Sequence, residues 1–222
     1  MHRLGPPSWR LSVHTDSSPV RFALFLRDRF DLPVPPSPDA PPRDERVARD
    51  EAGLAESERR EAGPQWLTWW RRLVETEFRV HAPIPAGIEP STLARRRIAE
   101  RQSVYDPPAF EALRASPVLR SAALALFDGA RGPATSSTDA PQHRGGGKGF
   151  PWNLTRDVAT TLATEHGVSP DRLDAAVLLI DVPGFWYHIP RPGTAVCTTS
   201  VAADPAAAES LLRAVFISNL EP

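Results

Sequence analysis

Cysteine and lysine are almost absent from this chain of 222 residues: Cys197 is its one cysteine and Lys148 its one lysine. A single cysteine excludes an intrachain disulfide and any cysteine-rich zinc site. The other 25 basic residues are arginine, the skew of a GC-rich coding sequence such as an actinobacterium's, so positive charge sits on guanidinium forks that pair bidentately with carboxylates and stack on aromatic rings. Long apolar runs are missing too. Met1 to Arg10 has no leader-like apolar stretch, Phe22 to Leu26 is far too short to span a bilayer, and nothing elsewhere reaches the roughly 18 residues a spanning helix needs. A cytoplasmic protein without membrane contact is expected. Net charge is −1, which leaves no global field to draw in nucleic acid.

Familiar catalytic and cofactor signatures are also absent. HExxH, GxSxG and GxGxxG do not occur. No two of the six histidines sit at i, i+4 on one helix, so neither a metal nor a cofactor is expected. The run Gly145–Gly149 carries Lys148 shortly before a helix and makes it a candidate phosphate ligand. It departs from the phosphate-loop pattern at Gln142 and Gly149, where glycine and a hydroxyl residue are required, and slack linker is the plainer reading.

What is abundant is proline, with 25 residues, gathered in segments. Ser18 with Pro19 is expected to open a first helix. Residues 32–43 read as a stiff proline-rich spacer, and 44–62 as a charged, solvated stretch. Pro64 is expected to open the clearest amphipathic helix, with Trp66, Trp69, Trp70, Leu73 and Phe78 at helical spacing. Ser91 is expected to cap a helix through Arg95, Arg96, Arg97 and Arg101, and Ser116–Pro117 to start another. Residues 129–149 look like a linker. A helix from Asn153 to His166 follows, ended by Gly167. Ala176–Val182, Phe185–Ile189 and Thr194–Ala202 then read as three strands, and Asp204 with Pro205 caps a last helix.

The expected fold is α+β. A helical part over 1–128 packs with a unit over 151–222 built as helix, three-stranded antiparallel meander and helix, the two sharing one core if the smaller is marginal alone. Asp181, His188 and Cys197 fall one on each expected strand and are the candidate base and thiolate constellation. Trp66, Trp69 and Trp70 are core, or a partner-binding face if the charged, proline-rich stretch leaves them uncovered. Trp186 beside Tyr187 is a further candidate contact. The favoured function is a non-enzymatic accessory or adaptor protein with a protein partner. The alternatives are a small-molecule pocket between sheet and helices, and a nucleic-acid contact through the Arg95–Arg101 helix.

Overall fold

The computed structural model describes residues 8–15, 17–50, 53–83, 87–129 and 149–220. The chain divides into two compact units, Met1–Asp16 with Gly146–Pro222, and Ser17–Gly145. The class is α+β: among the described residues there are seven α-helices and one mixed four-stranded sheet.

The first unit contains the sheet. Its strands are β1 (Arg10–His14), β2 (Asp174–Ile180), β3 (Tyr187–Arg191) and β4 (Thr194–Thr198), in the order β1-β2-β4-β3. β1 and β4 both run parallel to β2, and only the β3–β4 hairpin is antiparallel. This corrects the expected meander, which would have put β3 beside β2. The reason lies in the side chains. Every residue of β4 is buried, as suits a central strand covered on both faces. β3 carries Pro190, which has no N–H for a ladder, and a register break between His188 and Arg191. Such a strand belongs at an edge. The hairpin turns at Gly193, whose φ of +69° is open to glycine without strain. Residues 181–186 cross the end of β4 and are pinned by Thr198, whose hydroxyl donates to Gly184 O at 2.7 Å and whose N–H donates to Trp186 O at 3.0 Å.

β1 was not expected at all. RLSVH is short, but Leu11 and Val13 alternate with Ser12 and His14 and pair in register with Ala175 and Val177. Helices α5 (Trp152–Glu165), α6 (Thr199–Ala203) and α7 (Pro205–Ser218) complete the unit. α6 replaces the end of the expected third strand. The cap at Asp204 is as expected, its carboxylate accepting from Ala207 N at 2.8 Å. Gly167 follows α5 with φ +61°. Ala175, Val177 and Leu179 of β2, with Ala195 and Cys197 of β4, pack on Val158, Leu162, Leu211, Leu212, Val215 and Phe216. The sheet unit thus has a hydrophobic cluster of its own.

The second unit is helical: α1 (Ser18–Arg29), α2 (Glu56–Val80), α3 (Pro90–Gln102) and α4 (Pro117–Gly129), with a 3-10 turn at Glu111–Leu113. Its boundaries shift from expectation by local chemistry. Ser17 rather than Ser18 caps α1, accepting from Val20 N at 3.4 Å. Glu89 rather than Ser91 caps α3, accepting from Thr92 N at 2.9 Å. Pro64 does not open α2 but lies inside it, because the helix already starts at Glu56.

Residues 32–50 form no regular element, yet they are not a free spacer. Leu32 is fully buried and Pro41 is buried too. Gly63 of α2 passes so close that a Cβ there would meet the carbonyl carbon of Pro33 at 2.8 Å. Arg27, 1% exposed, has all three of its nitrogens bonded: Nε and Nη2 to the Asp28 carboxylate, and Nη1 and Nη2 to Pro41 O and Pro42 O. Its guanidinium also lies 5.1 Å from the Trp66 ring centroid. A buried charge is tolerated on these terms, paired and with its donors satisfied.

Candidate functional site

The constellation of Asp181, His188 and Cys197 does not assemble. Residues directly opposite in a sheet share a face, and neighbours along one strand alternate. His188 is opposite Val196 and Tyr187 is opposite Cys197. The His188 and Cys197 side chains therefore leave the sheet on opposite faces. Cys197 points into the helix-covered core, is 0% exposed, and burial pushes its thiol up to about 12. A thiol nucleophile requires the reverse shift. Asp181 is exposed and stands one residue beyond β2, not on it. The catalytic reading of these three is corrected on geometry.

Trp66, Trp69 and Trp70 are 0%, 2% and 1% exposed. Each indole N–H is spoken for: Trp66 donates to Ala23 O at 2.7 Å, Trp69 to Val104 O at 2.8 Å and Trp70 to Asp39 O at 2.8 Å. They are interior residues, as the core reading of the stripe expected, and present no open face in this structure. Trp66 and Trp70 stack on each other, centroids 5.5 Å apart with ring planes 10° from parallel. A buried indole needs a partner for its N–H, and here backbone carbonyls from three different segments supply it.

Around α3 the arginines are engaged rather than arrayed. Arg96 bonds Glu100 at 3.0 Å, Arg97 donates to Ala82 O, and Arg101 grips Glu77 of α2 through two bonds of 2.9 Å. Glu77 is 2% exposed. Burial raises its carboxyl pKa, but hydrogen bonds from His81 and Arg101 outweigh this and hold it below the ordinary value. Lys148 lies outside the described residues, as do Gly145, Gly146 and Gly147. No group of three or more His, Cys, Asp or Glu side chains among the described residues is arranged to hold a metal ion. No helix among them is long and apolar enough to cross a membrane.

Two aromatic features remain at the surface of the sheet unit. One includes the candidate Trp186. It is half-buried, and its ring stacks on His188 with centroids 6.5 Å apart. Its neighbours Phe185 and Tyr187 are 69% and 46% exposed. Trp186 lies on the His188 side and Tyr187 on the side opposite Cys197 at the start of edge strand β3, and Thr198 ties the loop before it through Gly184 O and Trp186 O. The other feature was missed from the sequence. Trp152, 66% exposed, opens α5 and packs on Trp9 with centroids 4.8 Å apart. Trp9, with Ser8, Thr160, Ala163, Thr164, Val168 and Pro170, lines an open groove of about 440 Å³. A tryptophan at the first position of a helix that buries Val158 and Leu162 is the signal that would have found it, since its ring need not follow the stripe. No protein-family model, curated protein or solved structure matches the chain, so function has to be read from its own side chains.

Proposed function

We propose that this is a non-catalytic cytoplasmic accessory protein that works through protein–protein contacts made by the exposed aromatic residues Phe185 and Tyr187 at the start of β3. One observation carries the reading: at the start of an edge strand Phe185 and Tyr187 are 69% and 46% exposed, on either side of a half-buried Trp186. Leaving apolar surface in water costs roughly 25 cal/mol per Å² relative to burying it. Tyrosine and tryptophan are the residues that dominate binding energy when such surface is covered. A backbone fixed by Thr198 spares a partner the cost of ordering the loop. The assembled-triad chemistry that would favour an enzyme is lost once His188 and Cys197 sit on opposite faces.

The test is capture by the tagged full-length chain. A near-stoichiometric protein retained by the wild type and lost with Phe185→Ser/Tyr187→Ser, at unchanged circular dichroism, supports the reading. Capture that is indifferent to the double substitution overturns it.

A second reading, small-molecule binding, is favoured by the groove under Trp9. Its lining of indole, Ser8, Thr160 and Thr164 is uncharged and suits a neutral, hydroxyl-bearing ligand. Quenching of tryptophan emission by a neutral oligosaccharide, lost in Trp9→Ala, supports it; emission unchanged at millimolar maltotriose and cellotriose removes it.

A further inference from the structure

Residues 33–49 are attached to the helical unit much as a bound peptide is. The backbone hydrogen bonds within the segment are local: Val34 N to Leu32 O at 2.9 Å, Ala40 N to Ser37 O at 3.1 Å and Val47 N to Asp44 O at 3.1 Å. Its ties to the helices run through helix side chains. From α1, Arg27 donates to Pro41 O at 2.6 Å and Pro42 O at 2.8 Å, Arg29 donates to Ala48 O at 2.7 Å, and Asp28 accepts from Asp44 N at 3.2 Å. From α2, Trp70 donates to Asp39 O at 2.8 Å, while Arg71 pairs with the Asp39 carboxylate and reaches Ser37 Oγ at 3.2 Å.

This is receptor chemistry suited to a proline-rich chain. Proline has no N–H, so carbonyl oxygens are the main backbone handles such a chain offers. The two helices present indole and guanidinium donors to those carbonyls, above a stacked pair of tryptophans. Indole and guanidinium donors to the carbonyls of an extended segment are one of the handles by which proline-rich chain can be held. Within residues 33–42 only Pro41 is buried, the others are half-buried or exposed, and Pro33, Pro35, Pro36 and Pro38 face solvent, next to a buried Leu32. Few buried apolar contacts between two anchors is the mark of a region that opens locally before the whole unit does.

We propose that the Trp66–Trp70 face, with Arg27 and Arg71, is a docking groove for extended proline-rich chain, closed in the free protein by its own residues 33–42. The segment opens as a unit, and a proline-rich segment of another protein takes its place. The two tryptophans are then neither a simple core nor an open face: they are a binding surface occupied in cis. The idea is independent of Phe185 and Tyr187, which lie in the other unit, and each survives failure of the other.

Hydrogen exchange at the indole protons of the unaltered protein tests the opening directly. The Trp70 N–H bonds to the segment, whereas the Trp66 and Trp69 N–H groups bond to Ala23 O and Val104 O outside it. The Trp70 proton is expected to exchange at least about tenfold faster than the other two. Equal rates for all three mean that the segment leaves only with global unfolding, and overturn the proposal. Docking is tested with a fluorescein-labelled peptide of the sequence of residues 32–43 and the full chain carrying Asp39→Ala, which removes the Arg71 latch but keeps the carbonyl in place. Binding at least about tenfold tighter than to the wild type is expected, with loss on adding Trp70→Phe. A folded Asp39→Ala chain that takes up no peptide at millimolar concentration overturns it.

Discussion

The two units solve the same problem with different materials. In the sheet unit a buried central strand and three helices close an apolar cluster, and ion pairs such as Arg10 with Asp174, Arg156 with Asp157 and Arg213 with Glu165 lie in partly to well-exposed positions. In the helical unit the layer over α1 and α2 is an irregular proline-rich segment, and polar side chains fasten it: Arg27 on Asp28 and two carbonyls, Trp70 on Asp39 O, Arg71 on Asp39. Regular ladders satisfy their own backbone groups, whereas an irregular segment has to borrow donors from its neighbours. The helical unit should therefore answer to charge and pH where the sheet unit does not.

The sharpest way to break that contrast is Arg27→Met. It strands the Asp28 carboxylate in the interior and removes the donors to Pro41 O and Pro42 O. A cost of about 3 to 5 kcal/mol is expected for a broken buried pair, read as an early denaturant transition in tryptophan emission. Gly63→Ala comes next. Alanine gains roughly 1 kcal/mol of helix propensity over glycine, but its methyl collides with the backbone of Pro33, which cannot move aside as a flexible side chain would. Net destabilisation of about 1 to 3 kcal/mol is expected. Net stabilisation would show that the segment yields freely.

Acid supplies a third and milder test. Glu77 titrates below its ordinary 4.5, and the Arg71 hydrogen bond holds Asp39 down at about 2. A depressed carboxyl contributes stability that is whole above the unfolded-chain pKa and drains away as pH falls through the folded one. The helical unit should therefore weaken as pH drops below about 4.5, with Asp39's share lost between 3.8 and about 2. Thermal unfolding followed between pH 5 and pH 2 checks it, and Glu77→Gln should flatten the upper part of that profile. In the sheet unit, Arg213→Ala removes the 2.6 Å contact with Glu165, a half-exposed pair worth under about 1 kcal/mol. Cys197 closes the series with no stability effect: alkylation at pH 8 should proceed only as fast as the sheet unit opens, since its thiol is buried and pushed up to about 12.

Much of this contrast could not be read from the chain. Periodicity marked the Trp66–Phe78 stripe, the Asp204 cap and the α+β class, because those signals are local. The cover over Trp70 has no periodicity, and it takes the approach of Pro33 to Gly63 and the donors from Arg27 and Trp70 to show that a spacer is a structural layer. β1 was hidden because five residues of weak alternation become a strand only beside β2. The strand order was legible in part: Pro190 and Arg191 marked an edge strand, while the residues of Thr194–Thr198 suited a centre. A short connection after Ile180 suits an adjacent partner as well as a strand one place further on, so it does not fix the order. The candidate thiol site failed for a related reason, since the side-chain faces of His188 and Cys197 follow from register, and register depends on that order.

The pairing of Arg10 with Asp174 also bears on how the chain is made. At 5–20 residues per second, the roughly 160 residues between them take about 10 to 30 seconds to emerge from a ribosome. Throughout that interval the whole helical unit is being synthesised while β1 waits without its neighbour. Nascent β1 is thus a stretch for which an early chaperone contact, or faster synthesis that brings β2 into reach sooner, would alter the yield of folded protein without touching its final stability.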